Sequence, residues 1–405
     1  MEKWKEYKLG EIAQIQTGPF GSQLHKSDYV DDGVPCIMPT NIGKNLDIVS
    51  DGIAHISEND AHRLSRHLVT AGDIIYARRG DIEKCAYIQE QQNGWFCGTG
   101  CLRIRINKDA DSHFIAYQLS TSEAKSWIVG NAIGTTMLNL NTSILSDLPI
   151  ILPPLSTQRH ITAVLKSLDD KIELSRRIND NLEQQAQALF KSWFVDFEPF
   201  RDQLFVQSEL GMIPEGWRVD SLSSIADYIN GLAMQKYRPI EGEVGLPVLK
   251  IKELGQGNTD DSSELCSPSL IGEKYIIDDG DIIFSWSGTL MVKIWCGGKC
   301  GLNQHLFVVK PNGTPKWFAY LWTKHHLDNF IQIAKDKAVT MGHIKRGELD
   351  KAKVLIPDSN ELLKMDYMMK PIHQQIISNE VESRRLTELR DTLLPRLMSG
   401  EIKIE

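Results

Sequence analysis

Two pairs of cysteines, each separated by three residues, are the side chains in this sequence whose type and spacing could bind a metal ion. Cys97 and Cys101 form one pair, and Cys296 and Cys300 form the other. Together they could supply four thiolates, but three-residue gaps without neighbouring histidine pairs are poor zinc spacing. Seven cysteines in 405 residues fit a reducing compartment better than a disulfide framework. We therefore expect no metal site and a cytoplasmic protein.

The sequence lacks the catalytic motifs that can be recognised from residue spacing. Gly43-Lys44 and Gly298-Lys299 lack the upstream glycine of a phosphate-binding loop. No Gly-x-Ser-x-Gly or His-Glu-x-x-His pattern occurs. Leu152-Pro-Pro-Leu155 lacks the residues expected around the substrate amine of an amino-methyltransferase, and Pro357-Asp358 is not followed by the pattern of a metal-dependent nuclease. These absences favour a binding protein over an enzyme.

The composition is that of an ordinary globular protein of two to four domains. Apolar residues make up 41% of the chain and charged residues 24%. The formal net charge is −8, from 45 basic and 53 acidic residues, so a nucleic-acid-binding face would have to be local. No apolar stretch approaches the length of a membrane-spanning helix, and we expect no membrane contact.

The sequence repeats itself once, with landmarks returning in the same order 204–213 positions later. Gly72-Asp-Ile-Ile-Tyr-Ala-Arg-Arg-Gly80 returns as Gly280-Asp-Ile-Ile-Phe-Ser-Trp-Ser-Gly288, with five identities in nine positions. Trp4 returns as Trp217. Each copy begins with a Gly-rich part whose short alternating runs predict strands. The fold class we predict is therefore α/β, with two similar mixed globular domains.

A long helix is predicted after each globular part. In both, apolar residues recur at alternating steps of four and three, which is the spacing of a coiled-coil seam. Ser156-Thr157 is a candidate cap for the first helix. We predict that the two helices pack on each other, and the residues alone leave open whether they run parallel or antiparallel. The predicted seam contains Leu165, Leu168, Ile172, Leu182 and Leu189 of the first helix and Ile376, Leu386, Leu393 and Leu397 of the second.

The order of these parts, with three further motifs, resembles the specificity subunit of type I DNA restriction–modification systems. The motifs are Leu152-Pro-Pro-Leu-Ser-Thr-Gln158 before the first helix, Leu189-Phe-Lys-Ser-Trp-Phe-Val-Asp-Phe197 at its end, and Gly211-Met-Ile-Pro-Glu-Gly-Trp217 opening the second copy. The resemblance covers essentially the whole chain.

The resemblance implies a non-catalytic DNA-binding subunit. Each globular part would be a target recognition domain that reads one half of a bipartite site on double-stranded DNA, and an antiparallel helix pair would set their spacing. Partners would be two modification (methyltransferase) subunits and motor–nuclease restriction subunits, which would hold S-adenosylmethionine, ATP and magnesium. The implied domains are residues 1–153 and 201–357 for recognition and 154–200 and 358–405 for the helices.

Two other functions remain open at this point. One is the specificity partner of a methylation-only complex. The other is a duplicated coiled-coil scaffold whose domains bind ligands other than DNA, which would suit the acidic composition.

Candidate DNA-binding residues lie in the loops and at the strand tips of the two copies. Arginine can bind guanine with two hydrogen bonds or hold phosphate, and amides can pair with adenine. A solvated surface loop is the alternative for each. The candidates are Gln23, Lys26, Arg78, Arg79, Thr135 and Thr136 in the first copy, and Gln235, Lys236, Tyr237, Trp286, Ser287, Gln304, His305, His343, Lys345 and Arg346 in the second.

An aromatic run ends the first long helix and has no counterpart after Leu397. It needs burial, and we expect it to dock on the second globular part, with a modification subunit as the alternative. The run is Phe190, Trp193, Phe194, Phe197 and Phe200.

Overall fold

A computed structural model describes residues 4–134, 138–336 and 342–403 of the chain. Two mixed α/β domains are joined by two long helices that pack together, as the sequence predicts. The chain divides into two compact units, one formed by the described parts of 1–170 and 387–405 and the other by 171–386. Each long helix contributes to both units.

The first domain contains strands β1 to β10 and helices α1 to α5. The strands are β1 Lys5–Lys8, β2 Ala13–Thr17, β3 Tyr29–Val30, β4 Val34–Ile37, β5 Ala54–Ile56, β6 Ile74–Ala77, β7 Cys85–Tyr87, β8 Phe96–Cys97, β9 Cys101–Ile106 and β10 Pro149–Leu152. The helices are α1 Leu9–Ile12, α2 Glu58–Arg63, α3 Ser112–Leu119, α4 Ser122–Asn131 and α5 Thr142–Ser146.

The long helix α6, Leu155–Phe194, connects this domain to the second, which contains β11 to β22 and α7 to α11. The strands are β11 Phe205–Ser208, β12 Gly211–Pro214, β13 Arg218–Ser221, β14 Ala226–Asn230, β15 Leu246–Leu249, β16 Leu265–Cys266, β17 Ile276–Ile277, β18 Ile282–Ser285, β19 Met291–Ile294, β20 Cys300–Leu302, β21 Leu306–Pro311 and β22 Lys353–Ile356. The helices are α7 Leu222–Ile225, α8 Ile251–Gln256, α9 Lys316–His325, α10 Leu327–Asp336 and α11 Gly347–Lys351, and the second long helix is α12, Ser359–Met398.

The sheets repeat as the sequence does. The antiparallel order β2-β9-β6-β7 of the first domain matches β14-β21-β18-β19 of the second. A second sheet in each domain contains a parallel pair, β4 with β8 and β15 with β20. The two isoleucines and the aromatic residue of the repeated block begin β6 and β18, and all four residues of each strand are buried. Such a strand is covered on both faces, which explains its continuous apolar run.

Helices α6 and α12 are both 40 residues long and run antiparallel within the unit formed by 171–386. Lys171 forms an ion pair with Glu382, whereas Asn179, two turns later on α6, contacts Ile376 and Glu380, which precede Glu382 on α12. The contacts on α12 thus move toward its beginning as α6 advances.

The start of α6 differs from the prediction. The helix begins at Leu155, directly after Pro154, so Ser156 and Thr157 lie inside its first turn and the predicted cap is wrong. The buried side chain of Gln158 fixes this start instead, because its amide donates to the Pro153 carbonyl at 2.8 Å. The Pro154 carbonyl, just before the first turn, accepts a hydrogen bond from the main-chain amide of Gln158 at 3.0 Å.

The predicted seam residues divide between the helix pair and the two domain cores. Leu165, Leu393 and Leu397 pack in the core of the first domain. Ile376 is buried, and Leu189 packs against the core of the second domain. The remaining four, which are Leu168, Ile172, Leu182 and Leu386, are half-buried.

The aromatic run at the end of α6 docks on the second domain, as expected. Phe190, Trp193, Phe194 and Phe200 belong to its core. Phe194 lies within 6 Å, centroid to centroid, of Trp217, Phe318 and Trp322, and Phe197 lies 5.8 Å from Trp217. Aromatic rings at these separations bury large apolar areas.

Among the described residues, no helix is both long and apolar enough to cross a membrane.

Candidate nucleic-acid interface

The repeated Gly-Asp pair forms a tight turn that feeds the central strand of each domain. Gly72 and Gly280 have φ angles of +90° and +86°, a region that glycine occupies at little cost. The Asp73 carboxylate accepts a hydrogen bond from the Thr70 amide at 2.8 Å, and Asp281 accepts one from the Asp278 amide at 3.1 Å. The turn thereby aims the strand that follows it.

Both aspartates also bind a cation on the neighbouring strand. Arg105 on β9 donates to Asp73 at 2.7 and 2.6 Å, and Lys310 on β21 donates to Asp281 at 2.7 Å. Arg105 and Lys310 occupy equivalent places in the two sheets. The motif is thus structural in both copies, and the residues that follow β6 and β18 form the strand tips.

The tip of the first domain presents two arginines. The Arg78 guanidinium lies 5.4 Å from the centroid of the Phe20 ring and donates to the Leu140 carbonyl at 3.2 Å. Arg79 is exposed and forms a β-bridge with Asn139 through its main chain. Arg78 is therefore held in place, whereas the Arg79 side chain is available for contact.

A loop that carries a second basic group continues from Phe20. Gln23 accepts hydrogen bonds from two arginines of the region after β5: Arg63 donates to its carbonyl at 3.1 Å and Arg66 to its side-chain oxygen at 3.3 Å. Lys26 lies three residues further and is exposed. The candidate Gln23 is thus oriented by Arg63 at its main chain and by Arg66 at its side chain.

The loop backbone depends on a repeated glycine at the end of β2 and β14. A β-carbon at Gly18 would lie 2.1 Å from the Gly98 carbonyl oxygen, and one at Gly231 would lie 2.2 Å from that of Asn303. Any side chain would therefore force backbone to move. Gly18 and Gly231 are 213 positions apart, as are Trp4 and Trp217, and this close approach explains why the glycine is repeated.

The tip of the second domain has the same backbone and different side chains. The Trp286 indole donates to the Asn230 side-chain oxygen at 3.0 Å, and its ring lies 6.2 Å from His305 and 6.3 Å from His343. Ser287 forms a β-bridge with His343, which matches the bridge between Arg79 and Asn139. Ser287 is 4% exposed, and its hydroxyl contacts the His305 Nδ1 at 3.0 Å. Ser287 is therefore placed to hold His305, while His343 is exposed.

The other candidates of the second domain surround this tip or its loop. Gln304 is half-buried, and its amide lies 3.4 Å from the His305 Nε2. Lys345 and Arg346 are exposed, and Arg346 donates to the Tyr228 carbonyl at 3.2 Å. Gln235 and Lys236 are exposed in a short 3₁₀ helix, whereas Tyr237 packs on a small apolar cluster. Thr135 and Thr136 lie outside the described residues.

Three elements of the tips escaped sequence reasoning: Phe20 beneath Arg78, Asn230 beside Trp286, and the pair Arg63 and Arg66. Phe20 is 53% exposed although it is aromatic. Its position in a loop rich in glycine was the one available signal, because its contact with Arg78 spans 58 residues of sequence.

The paired cysteines do not form a metal site in the described residues, where no three His, Cys, Asp or Glu side chains are placed to hold a metal ion. All seven cysteines are free and buried. Burial raises the pKa of Cys97 and of Cys296 to about 12. These thiols are therefore protonated near neutral pH, and their role is packing.

Known proteins share both the sequence pattern and the fold. A model of the type I restriction modification DNA specificity domain matches residues 1–184 and 214–386. The MjaIX specificity subunit of a type I restriction enzyme from Methanocaldococcus jannaschii is 26% identical, covering 99% of this chain and 94% of its own. The HindI specificity subunit from Haemophilus influenzae is 23% identical over 99% and 100% of the two chains. The crystal structure of a type I restriction–modification S subunit from M. genitalium shares the fold, with a TM-score of 0.56 and 17% identity over 98% and 96% of the two chains.

Proposed function

The chain belongs to the type I restriction–modification DNA specificity family, and from this premise we propose that each of its two domains reads one half of a bipartite double-stranded DNA site. As a specificity subunit it determines the DNA target and is a non-catalytic component of its complex. The proposal adds which surfaces read the DNA and how the two readings differ.

The observation that carries the proposal is the pair of tips built on one backbone plan. Arg79 and Ser287 occupy equivalent positions after β6 and β18, and each is bridged to a later loop, at Asn139 or His343. The scaffold is thus repeated, while the side chains displayed on it differ. Different side chains on equivalent scaffolds are what two unlike half-sites require.

The first tip suits a half-site that contains guanine. Arg79 can donate two parallel hydrogen bonds to the O6 and N7 atoms of a guanine in the major groove. Arg78, held over Phe20, is placed to accompany it, and Gln23 can address an adenine with its amide. Lys26 supplies a phosphate contact at the edge of the same loop.

The second tip offers imidazole and indole groups instead of guanidinium groups. His343 and His305 can donate to or accept from base edges, and Trp286 supplies an apolar face beside them. Lys345 and Arg346 are phosphate contacts in this proposal, and Gln304, Gln235, Lys236 and Tyr237 line the surrounding loops. Thr135 and Thr136 remain candidates for the first domain.

The catalytic steps belong to partner chains in this proposal. Two modification subunits would methylate adenine with S-adenosylmethionine, and motor–nuclease subunits would use ATP and magnesium. Because this chain has a net charge of −8, those partners would also supply much of the phosphate contact. Seven free thiols support a cytoplasmic location. A methylation-only complex is the alternative assembly, and the absence of a nuclease subunit gene beside this one would favour it.

Salt dependence of DNA binding by the complex with its modification subunits tests the proposal. Lys26→Ala and Lys345→Ala should each weaken binding to all sequences and reduce the slope of log K against log salt by about 1. Lys274→Ala, at an exposed lysine beside Tyr275, is the control and should leave the slope unchanged. Equal slopes for all variants would contradict these loops as phosphate contacts.

A further inference from the structure

The middle of the helix pair contains two buried asparagines, Asn179 on α6 and Asn379 on α12, which are 5% and 7% exposed. The Asn379 amide donates to the Asn179 side-chain oxygen at 2.8 Å. The Asn179 amide donates in turn to the Ile376 carbonyl at 3.1 Å and to the Glu380 carboxylate at 3.0 Å. The polar atoms of Asn179 are therefore satisfied by groups of the opposite helix.

The internal repeat does not contain these asparagines twice. Ser175-Arg-Arg177 corresponds to Ser383-Arg-Arg385, a shift of 208 positions. With that shift Asn179 corresponds to Thr387, and Asn379 corresponds to Lys171. A contact between two asparagines at this place therefore requires that one α6 helix pairs with one α12 helix.

Pairing of two α6 helices from separate chains would lose this contact. In the register of α6 with α12, the residue facing Asn179 would be Lys171 of the other chain instead of Asn379. Lys171 would also lose its ion-pair partner, because Glu382 corresponds to Leu174. Each such pair would thus contain two buried amides and two ammonium groups without their native partners.

We propose that the Asn179–Asn379 contact makes α6 bind α12 in preference to the α6 helix of a second copy of the chain. An unpaired buried polar group is costly, whereas apolar seam residues such as Leu182 fit either partner helix. The contact therefore favours helix pairs that contain one α6 and one α12. Each such pair joins one copy of each domain. This inference concerns helix pairing and stands whether or not the tips read DNA as proposed.

Two substitutions in the full chain reproduce the contacts of the disfavoured pairs. Asn379→Lys places opposite Asn179 the residue that an α6 pair would place there, and Asn179→Thr does the same for an α12 pair. Hydrogen exchange of the α6 backbone amides around residue 179 reports the opening of the helix pair. Each variant should lower the protection of these amides about tenfold or more.

Matched controls separate partner choice from a general loss of stability. Ser378→Lys and Gln184→Thr introduce the same residues at exposed positions of the same helices and should leave protection within about twofold. Asn179→Leu with Asn379→Leu removes both amides together and should also keep protection, since an apolar pair leaves no group unsatisfied.

Two results would overturn the inference. One is unchanged protection in Asn379→Lys and Asn179→Thr, because the disfavoured contacts would then carry no penalty. The other is an equal loss in the double leucine variant, because the pair would then contribute packing or stability without discriminating between partners.

Discussion

The buried carboxylate of Asp73 accepts two hydrogen bonds from Arg105, one from Nε at 2.7 Å and one from a terminal guanidinium nitrogen at 2.6 Å. The second domain keeps this relationship with a different cation, Lys310 on Asp281. Each aspartate immediately precedes the strand that ends at a tip. Its ion pair therefore fixes the position of the residues proposed to read DNA.

Replacing this carboxylate should destabilise the domain. Asp73→Asn keeps the shape but removes the charge that accepts two hydrogen bonds, and hydrogen bonds to charged groups contribute about 1.5–3 kcal/mol. We expect the free energy of unfolding in urea to fall by about 2 kcal/mol. Asp81→Asn is the control, because its ion pair with Lys84 is exposed and contributes less than about 1 kcal/mol. Equal effects of the two substitutions would contradict the structural role of the Gly-Asp turn.

One carboxylate, that of Asp169 on α6, links the first domain to both long helices. The Tyr117 hydroxyl donates to it at 2.6 Å, and the Arg390 guanidinium of α12 donates to it at 2.8 Å. Asp169→Ala would leave a mostly buried guanidinium without this partner, and the expected loss of unfolding free energy is about 3 kcal/mol.

Two substitutions calibrate that measurement. Tyr117→Phe removes only one hydrogen bond and should cost about 1 kcal/mol. Asp170→Ala, one residue along α6, removes an exposed ion pair with Lys166 and should cost no more than about 0.5 kcal/mol. An Asp169→Ala variant as stable as Asp170→Ala would refute the attachment.

Two buried histidines predict a loss of stability in mild acid. Burial lowers the pKa of His67, with help from Arg66 and Arg103, and burial also lowers the pKa of His373, each to about 4. In the unfolded chain a histidine has a pKa near 6.5, so between pH 6.5 and 4 the unfolded chain binds more protons than the folded one. The stabilising contribution is therefore complete above pH 6.5 and is lost as the pH falls toward 4.

The size of this effect is up to about 1.4 kcal/mol per pH unit for each histidine. His373→Gln and His67→Gln should each flatten the decline of the unfolding free energy between pH 6.5 and 4.5, measured in urea at a series of pH values. His160→Gln, at an exposed histidine of α6, is the control. Curves that fall as steeply in all three variants as in the wild type would contradict the prediction.

The sequence predicts the parts of this fold whose residue patterns are local, that is, formed by residues close together in the chain. The Asp-Ile-Ile block is apolar on both faces of its strand, so its repetition identified β6 and β18 and the duplicated sheet around them. The seven-residue spacing identified α6 and α12 because helical periodicity persists over 40 residues. The aromatic run at the end of α6 identified a docking surface, since five large rings need burial.

Contacts between distant residues were not predictable in the same way. Nothing near Asn179 indicates that its partner is Asn379, because the register of two helices depends on side chains 200 residues apart. The support of Arg78 by Phe20 likewise depends on how a loop folds over a strand tip. The hairpin of β11 and β12 has no counterpart among the described residues of the first copy, so the repeat could not reveal it.

The central claim is that each tip reads a different half of one bipartite DNA site. Arg79 and His343 are suited to test it, because both side chains are exposed while their main chains form the bridges that hold the tips. Alanine at either position should therefore keep the scaffold and remove one reader. Losing a good base contact costs about 1–3 kcal/mol of discrimination.

The decisive measurement is genome-wide sequencing of methylated adenines in cells that carry the wild-type chain, Arg79→Ala or His343→Ala with the modification subunits. We predict that Arg79→Ala relaxes the sequence at one half-site only and that His343→Ala relaxes the other half-site only. Relaxation of the same half-site by both variants, or an unchanged methylated sequence in both, would contradict the account.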